Sequence, residues 1–166
     1  LRRMGLRYNR AHYAERLERI ASQLPNCAIG ADVMVGFPGE TDNHFDQTRT
    51  LLSDLPMTYL HVFSFSSRND TPAERLDSHL DKTVKKERAQ QLIALGQEKR
   101  LDFHRHFVGS TIQVLAEGRR DSTTGLQIGL SDNYIKTLFA GEYQANELVE
   151  VKIEQAREDL VFGSRI

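Results

Sequence analysis

The stretch "GADVMVGFPGET", Gly30–Thr41, decides how this chain is read. It begins as an apolar run of strand length, interrupted by Asp32. It then turns through Gly36, Pro38 and Gly39 and opens at once onto a helical pattern. Two glycines around a proline allow close backbone approach and unusual dihedrals in a stiffened loop. The free N–H groups of the helix that follows could face an acceptor or an anion. The loop is not a P-loop, since no Gly-Lys-Ser/Thr follows, and not a dinucleotide fingerprint, since the spacing is Gly-x-x-Gly. Two readings stay open for it: a ligand cradle, or a tight strand-to-helix turn.

Working outward, residues 10–24 predict a helix with Tyr13, Leu17, Ile20 and Leu24 on one face and Asn9 as N-cap. Residues 28–37 predict a strand buried on both faces, as in a parallel sheet. Residues 42–55 predict a helix with Phe45, Thr48, Leu52 and Leu55 inward, Thr41 as N-cap and Pro56 as stop. Residues 59–66, "YLHVFSFS", predict a second strand with Tyr59, His61, Phe63 and Phe65 on one face. This αβαβ order means parallel strands with helices packed outside. Two such pairs cannot close a barrel, and exposed parallel edges are rare. That argument, and a first residue that is leucine rather than methionine, predict a piece of a longer protein.

A polar, turn-rich segment covers residues 67–81, and a long helix follows at about 83–107, its face carrying Ala89, Leu92, Ile93, Gly96, Phe103 and Phe107. From Gly109 the pattern changes to short alternating segments separated by "DSTTG", "SDN" and "AGE". Val149, Val151 and Ile153 alternate with Glu150, Lys152 and Glu154. Short strands at this density predict a small barrel. The expected fold class is α/β followed by all-β, with domains at 1–107 and 108–166.

Composition bounds the chemistry. The chain has 166 residues, is 39% hydrophobic and 27% charged, and carries a formal net charge of −1. No run approaches the ~18 apolar residues of a membrane span, and the arginine-rich start has no apolar core behind it. Residues 1–20 hold six arginines against two glutamates, and residues 82–106 hold seven Lys/Arg against three acids. Residues 109–166 lean acidic, with six Lys/Arg against nine acids. Two basic segments make a polyanion partner plausible beside the plainer reading of solvated helix faces. The single cysteine, Cys27, cannot form an internal disulfide or alone hold a zinc or an iron–sulfur cluster. It predicts a small buried hydrophobe at the start of a strand and a reducing, cytoplasmic compartment.

Ligands of parallel α/β folds gather at the carboxyl ends of strands, where "GFPGET" and "SFSSRNDTPA" lie. Asp32, inside an apolar strand, needs partners, from a neighbouring strand or from a site. None of the six histidines makes a metal pair at helical spacing, and His61 reads as a satisfied core residue. No nucleophile–base arrangement stands out, so these residues alone make no enzyme. In the barrel, Asn133, Tyr134, Lys136, Phe139 and Tyr143 cluster, and Arg119 and Arg120 sit at the first turn. Such barrels stack bases on aromatics beside basic side chains; the alternative is that the aromatics fill the core.

The order "RRMGLRYNRAHY", "IGADVMVGFPGET", "YLHVFSFSSRNDTPA", "VKKERAQQLIALGQEKR", "FVGSTIQVLAE" resembles the radical S-adenosylmethionine methylthiotransferases over almost all of the chain. The resemblance implies the C-terminal part of a TIM-like radical SAM barrel followed by an OB-like TRAM barrel. "YLHVFSFS" and "SDNYIKTLFAG" are most similar to the branch acting on threonylcarbamoyladenosine in tRNA. The implied reaction inserts a methylthio group at carbon 2 of that adenine, beside the anticodon. A 5′-deoxyadenosyl radical abstracts the hydrogen, an auxiliary cluster supplies sulfur, and a second S-adenosylmethionine supplies the methyl. The implied cofactors are S-adenosylmethionine and two [4Fe–4S] clusters in the full-length parent, with none bound to this fragment. The implied cofactor contacts are Gly36, Phe37, Gly39, Glu40, Val62 and Phe63, and the RNA contacts are Arg119, Arg120, Asn133, Tyr134 and Lys136. The implied partners are the tRNA anticodon arm, the upstream part of the same polypeptide and a reductant protein, with no membrane.

Three departures from the family pattern matter. The cluster cysteines are absent, so the chain is expected to be inactive alone. A threonine-x-x-glutamate capping box is replaced by Asn9-Arg10-Ala11-His12, and a glycine before "TPA" by Asp70, which tolerates a left-handed turn better than most residues. Two alternatives accompany this reading. One is the sister branch acting on a ribosomal-protein aspartate, which the acidic barrel fits; the other is a non-catalytic RNA-binding module.

Overall fold

The structure, a computed structural model, describes residues 5, 7 and 9–166. Most of the arginine-rich start falls on residues 1–4, 6 and 8, outside the described residues. Two compact units divide between Gly96 and Gln97.

The first unit contains α1 (Arg10–Gln23), β1 (Gly30–Val35), α2 (Asp42–Asp54), β2 (Tyr59–Ser64) and the first part of α3 (Lys82–His106). Both predicted N-caps form. The Asn9 side chain accepts from the His12 N–H at 2.9 Å. Thr41 and His44 make a reciprocal capping box, with imidazole in place of the usual carboxylate. The strands pair in parallel, Gly30 opposite Tyr59 through Val35 opposite Ser64. Their core is Leu17, Ile29, Val33, Val35, Phe45, Leu52, Leu55, Met57 and Leu92, drawn from all three helices and one face of the sheet.

That core corrects several expectations. β1 is buried on one face only: Val33 and Val35 are covered, whereas Asp32 is exposed. Helices cover a single face of this two-stranded sheet, so alternation sends every second side chain to the open side. Tyr59 and Phe63 are exposed there, and His61 is exposed too, not a core histidine. Ile20, Leu24 and Ile93, expected inward, are exposed instead. Cys27 is exposed in the loop before β1 rather than buried.

The second unit holds the rest of α3 and a closed five-stranded barrel. Its strands are β3 (Thr111–Arg120), β4 (Gln127–Ser131), β5 (Lys136–Phe139), β6 (Leu148–Ala156) and β7 (Val161–Arg165), in the order β3-β4-β5-β7-β6. β5 and β7 are parallel and the other pairs antiparallel. This is a small Greek-key barrel of the OB type. The period-two reading of β6 holds: Val149, Val151 and Ile153 are buried, and Glu150, Lys152 and Glu154 are exposed. With Val114, Ala116, Ile135, Phe139 and Val161 they form the barrel core, and Phe107 of α3's trailing turn packs into it. Phe139 is therefore a core aromatic, and Tyr143 leans on it at 5.3 Å between ring centroids.

Candidate functional site

The loop after β1 is built from its own backbone outward. Gly36 and Gly39 take positive φ of 75° and 82°. The Glu40 N–H bonds the Phe37 carbonyl at 2.9 Å. Proline second and a positive-φ glycine third in Phe37-Pro38-Gly39-Glu40 is the type II turn pattern. The Gly39 N–H reaches Ser78 O at 2.9 Å, tying the turn to the polar segment before α3.

Glu40 closes the loop from inside. Its Oε1 accepts from the Gly36 N–H at 3.1 Å and from Arg88 of α3. The Arg88 guanidinium also donates to Glu40 O at 3.1 Å and to Asp42 Oδ1 at 2.6 Å, and lies over the Phe45 ring at 5.3 Å. Burial works against its charge, but the hydrogen bonds it donates to Asp42 and Glu40 outweigh it and hold the guanidinium above its ordinary pKa. Lys85, one turn earlier, donates to Phe65 O at 3.2 Å. The basic stretch 82–106 left two readings open, a solvated helix face or a polyanion partner, yet Arg88 and Lys85 point into the protein. Their helical spacing of three is a signal the sequence did carry. The helix N–H groups expected to face an anion are also partly engaged, by the Thr41–His44 capping box.

Beyond the strand ends lies a cavity of about 360 Å³ lined by Met34, Phe63, Phe65, Arg68, Thr71 and neighbouring serines. That volume falls within the range of small-molecule sites, ~300–1,000 Å³. Of the six expected cofactor residues, only Phe63 lines it. Phe37 is half-buried, its ring edge-on to Phe65 at 5.4 Å. The Val62 side chain packs into the helix-covered core, so only its backbone remains available at the sheet edge. Arg68 lies in "SFSSRNDTPA", the segment placed by sequence at a strand's carboxyl end where ligands gather, but the residue itself was not singled out from its polar, turn-rich surroundings. Asp70 takes φ 64°, the left-handed turn that aspartate tolerates.

The open face of the sheet carries Asp32 and His61 at the same register position, with Nδ1 3.0 Å from Oδ1. Asp32 thus finds its partner on the neighbouring strand.

In the barrel the five expected RNA residues form two groups. Arg119 and Arg120 end β3, opposite the start of β4 at Gln127. Asn133, Tyr134 and Lys136 follow the other end of β4. Four residue steps at ~3.3 Å each separate them. Tyr134 projects from its turn with φ 64° and 80% exposure. Arg120 bonds the Gly125 and Gly141 carbonyls, both at 2.9 Å, so it braces two turns. Arg119 is exposed and paired with Glu117.

An iron–sulfur cluster takes three or four thiolates. The chain's one cysteine does not fit that requirement, and among the described residues no group of three or more His, Cys, Asp or Glu is arranged to hold a metal ion. Among them, too, no helix is long and apolar enough to cross a membrane.

No protein-family profile matches the chain. Curated proteins do. The threonylcarbamoyladenosine tRNA methylthiotransferase MtaB of Bacillus subtilis (strain 168) is 35% identical over 159 residues, 94% of this chain and 35% of that protein. The tRNA-2-methylthio-N(6)-dimethylallyladenosine synthase of Desulfitobacterium hafniense (strain Y51) is 33% identical over 164 residues, 98% of this chain and 37% of that protein. The enzyme of the same name from Thermus thermophilus is 34% identical over 163 residues, 98% of this chain and 35% of that protein. The chain spans about a third of the length of the curated relatives it matches.

Proposed function

The chain belongs to the methylthiotransferase family of these relatives, and we propose that it is the part of a tRNA methylthiotransferase that borders the cofactor and grips the RNA. The observation that carries this reading is a similarity running through both units, α/β and barrel, to relatives named as tRNA-modifying enzymes. In this reading residues 1–107 belong to a radical SAM barrel and residues 108–166 are an RNA-binding TRAM domain.

S-adenosylmethionine, when bound, supplies the radical and the methyl group. The chain's own part is to present backbone at Gly36, Phe37, Gly39 and Val62 and an aromatic face at Phe63. Glu40 acts one step back, holding the Gly36–Gly39 turn in place through its bonds to Gly36 and Arg88. Tyr134 offers a stacking surface, with Asn133 and Lys136 beside it and Arg119 at the far end of β4. The cluster cysteines belong to another part of the polypeptide, a reductant protein feeds the clusters, and the setting is cytoplasmic.

The substrate is threonylcarbamoyladenosine next to the anticodon. The resemblance of "YLHVFSFS" to that branch and the MtaB relative favour it over dimethylallyladenosine. The test uses the complete polypeptide that carries this chain, reconstituted with clusters, and offers it in parallel two anticodon stem-loops, one bearing threonylcarbamoyladenosine and one bearing dimethylallyladenosine. A methylthio product by mass spectrometry supports the reading. A well-loaded enzyme that modifies only dimethylallyladenosine moves the assignment to the sister branch.

A further inference from the structure

The open face of the sheet is a strip of three cross-strand rungs: Gly30 with Tyr59, Asp32 with His61, Met34 with Phe63. The Tyr59 ring lies across Gly30, where any Cβ would collide with it. Phe63 is 41% exposed and lies 5.9 Å from the His61 ring, centroid to centroid. The strip leads into the cavity through Met34 and Phe63, and Arg68 lines the same cavity. No ion pair or side-chain hydrogen bond engages the Arg68 guanidinium among the described residues.

The polar rung does little for stability. Both partners are more than 70% exposed, and such pairs contribute ~0–1 kcal/mol. Its geometry suits recognition instead. Nδ1 faces Asp32, which leaves Nε2 free on the exposed ring as a second polar atom for a ligand, an acceptor in the tautomer that donates Nδ1–H to Asp32. An acceptor beside an aromatic ring, leading to a cavity with an unpaired guanidinium, matches one class of ligand. That ligand is a flat base carrying an arm with N–H or O–H donors and a carboxylate.

Resting on the reading above, in which threonylcarbamoyladenosine is the substrate, we infer that His61 and Arg68 read its N6 arm. His61 Nε2 accepts from the arm's N–H or hydroxyl, and Arg68 pairs with its carboxylate. Met34 and Phe63 take the base, and Asp32 is a positioning residue that holds the imidazole. The charges are complementary: an acidic arm meets a free cation, while Asp32 is turned to His61. Beyond the N6–H that both nucleosides share, a dimethylallyl arm has no donor, acceptor or charge, and leaves these groups unpaired, which is the stronger way for a site to reject an analogue.

The test is a competition. The complete, cluster-loaded polypeptide receives equal amounts of two anticodon stem-loops, one with threonylcarbamoyladenosine and one with dimethylallyladenosine, and the ratio of methylthio products is read. His61→Phe and Arg68→Gln should each shift that ratio toward the dimethylallyl product by about 10-fold, the scale of one lost polar contact. Arg68→Gln should do so through KM for the acidic substrate. Both side chains are exposed, and unchanged thermal unfolding of the variants confirms folding. An unchanged ratio, or an equal loss on both substrates, overturns the inference, since an equal loss marks contacts to parts of the RNA the two share. A wild-type enzyme that modifies neither stem-loop overturns the underlying function instead.

Discussion

Arg88 bonds both the carboxylate and the backbone oxygen of Glu40, 48 residues earlier in the chain, and Glu40 bonds the Gly36 N–H in turn. The Arg88 side chain is 6% exposed and that of Glu40 15%, whereas Asp42, the second partner, is 95% exposed. Breaking a buried pair from one side leaves a charge without its counter-charge, at ~3–5 kcal/mol, whereas an exposed pair is worth ~0–1 kcal/mol. Arg88→Ala should therefore lower stability by about 3–5 kcal/mol, and Asp42→Ala by less than ~1 kcal/mol. Urea unfolding of both variants measures the difference. Equal, small effects would contradict the anchoring role.

Gly36 is the second lever on the same loop. Its φ of 75° is one that L side chains rarely adopt, and an added Cβ would run into Lys85 Cγ and Cδ. The Lys85 stem is flexible, so backbone strain of ~1–2 kcal/mol dominates. Gly36→Ala should lower stability by about that amount and displace Lys85 from the Phe65 carbonyl. Thermal unfolding reads the first effect, and a crystal structure of the variant reads the second.

His104 makes the barrel unit sensitive to acid. It is buried, and its Nδ1–H donates to the Arg157 carbonyl at 2.7 Å. Burial pushes its pKa below the usual 6.5; the Arg157 carbonyl pulls it up, Arg100 lowers it and Asp159 raises it. The unfolded chain therefore takes up a proton first. The contribution of His104 is complete above about pH 6.5 and is lost as pH falls through the lowered value. Between about pH 7.5 and 5.5 the urea midpoint should fall more steeply for the wild type than for His104→Gln. Parallel pH profiles would rule His104 out as the cause.

Tyr134 and Arg120 were both expected to contact RNA but differ in the structure. Tyr134→Ala removes an exposed ring and should weaken anticodon-arm binding by ~1–3 kcal/mol with little change in stability. Arg120→Ala removes two bonds to turn carbonyls and should destabilise the chain instead. Paired filter-binding and unfolding measurements separate the two. Lys136→Ala should lower the salt dependence of binding by about one charge.

The elements were readable because their signals are local. Asn9 and Thr41 announce helix starts, the period of β6 announces a half-buried strand, and two glycines around Pro38 announce the turn. What was not readable depends on pairing at a distance. Whether β1 has one covered face or two is decided by how many helices pack on it, so Asp32 and His61 read as interior. Arg88 counted as one cation among seven: its spacing of three from Lys85 puts the two on one helix face, but only the fold shows that Glu40 and Asp42 meet that face. The split of the barrel residues expected to contact RNA needed the register of β3 against β4. For Cys27, a small apolar type next to a strand was a fair prior that the exposed loop overrode.

The most direct measurement is nucleoside mass spectrometry on bulk tRNA, with and without the gene that encodes this chain. The methylthio form of threonylcarbamoyladenosine should disappear without the gene while that of dimethylallyladenosine stays. Unchanged levels of both methylthio nucleosides would contradict it and turn attention to a protein substrate.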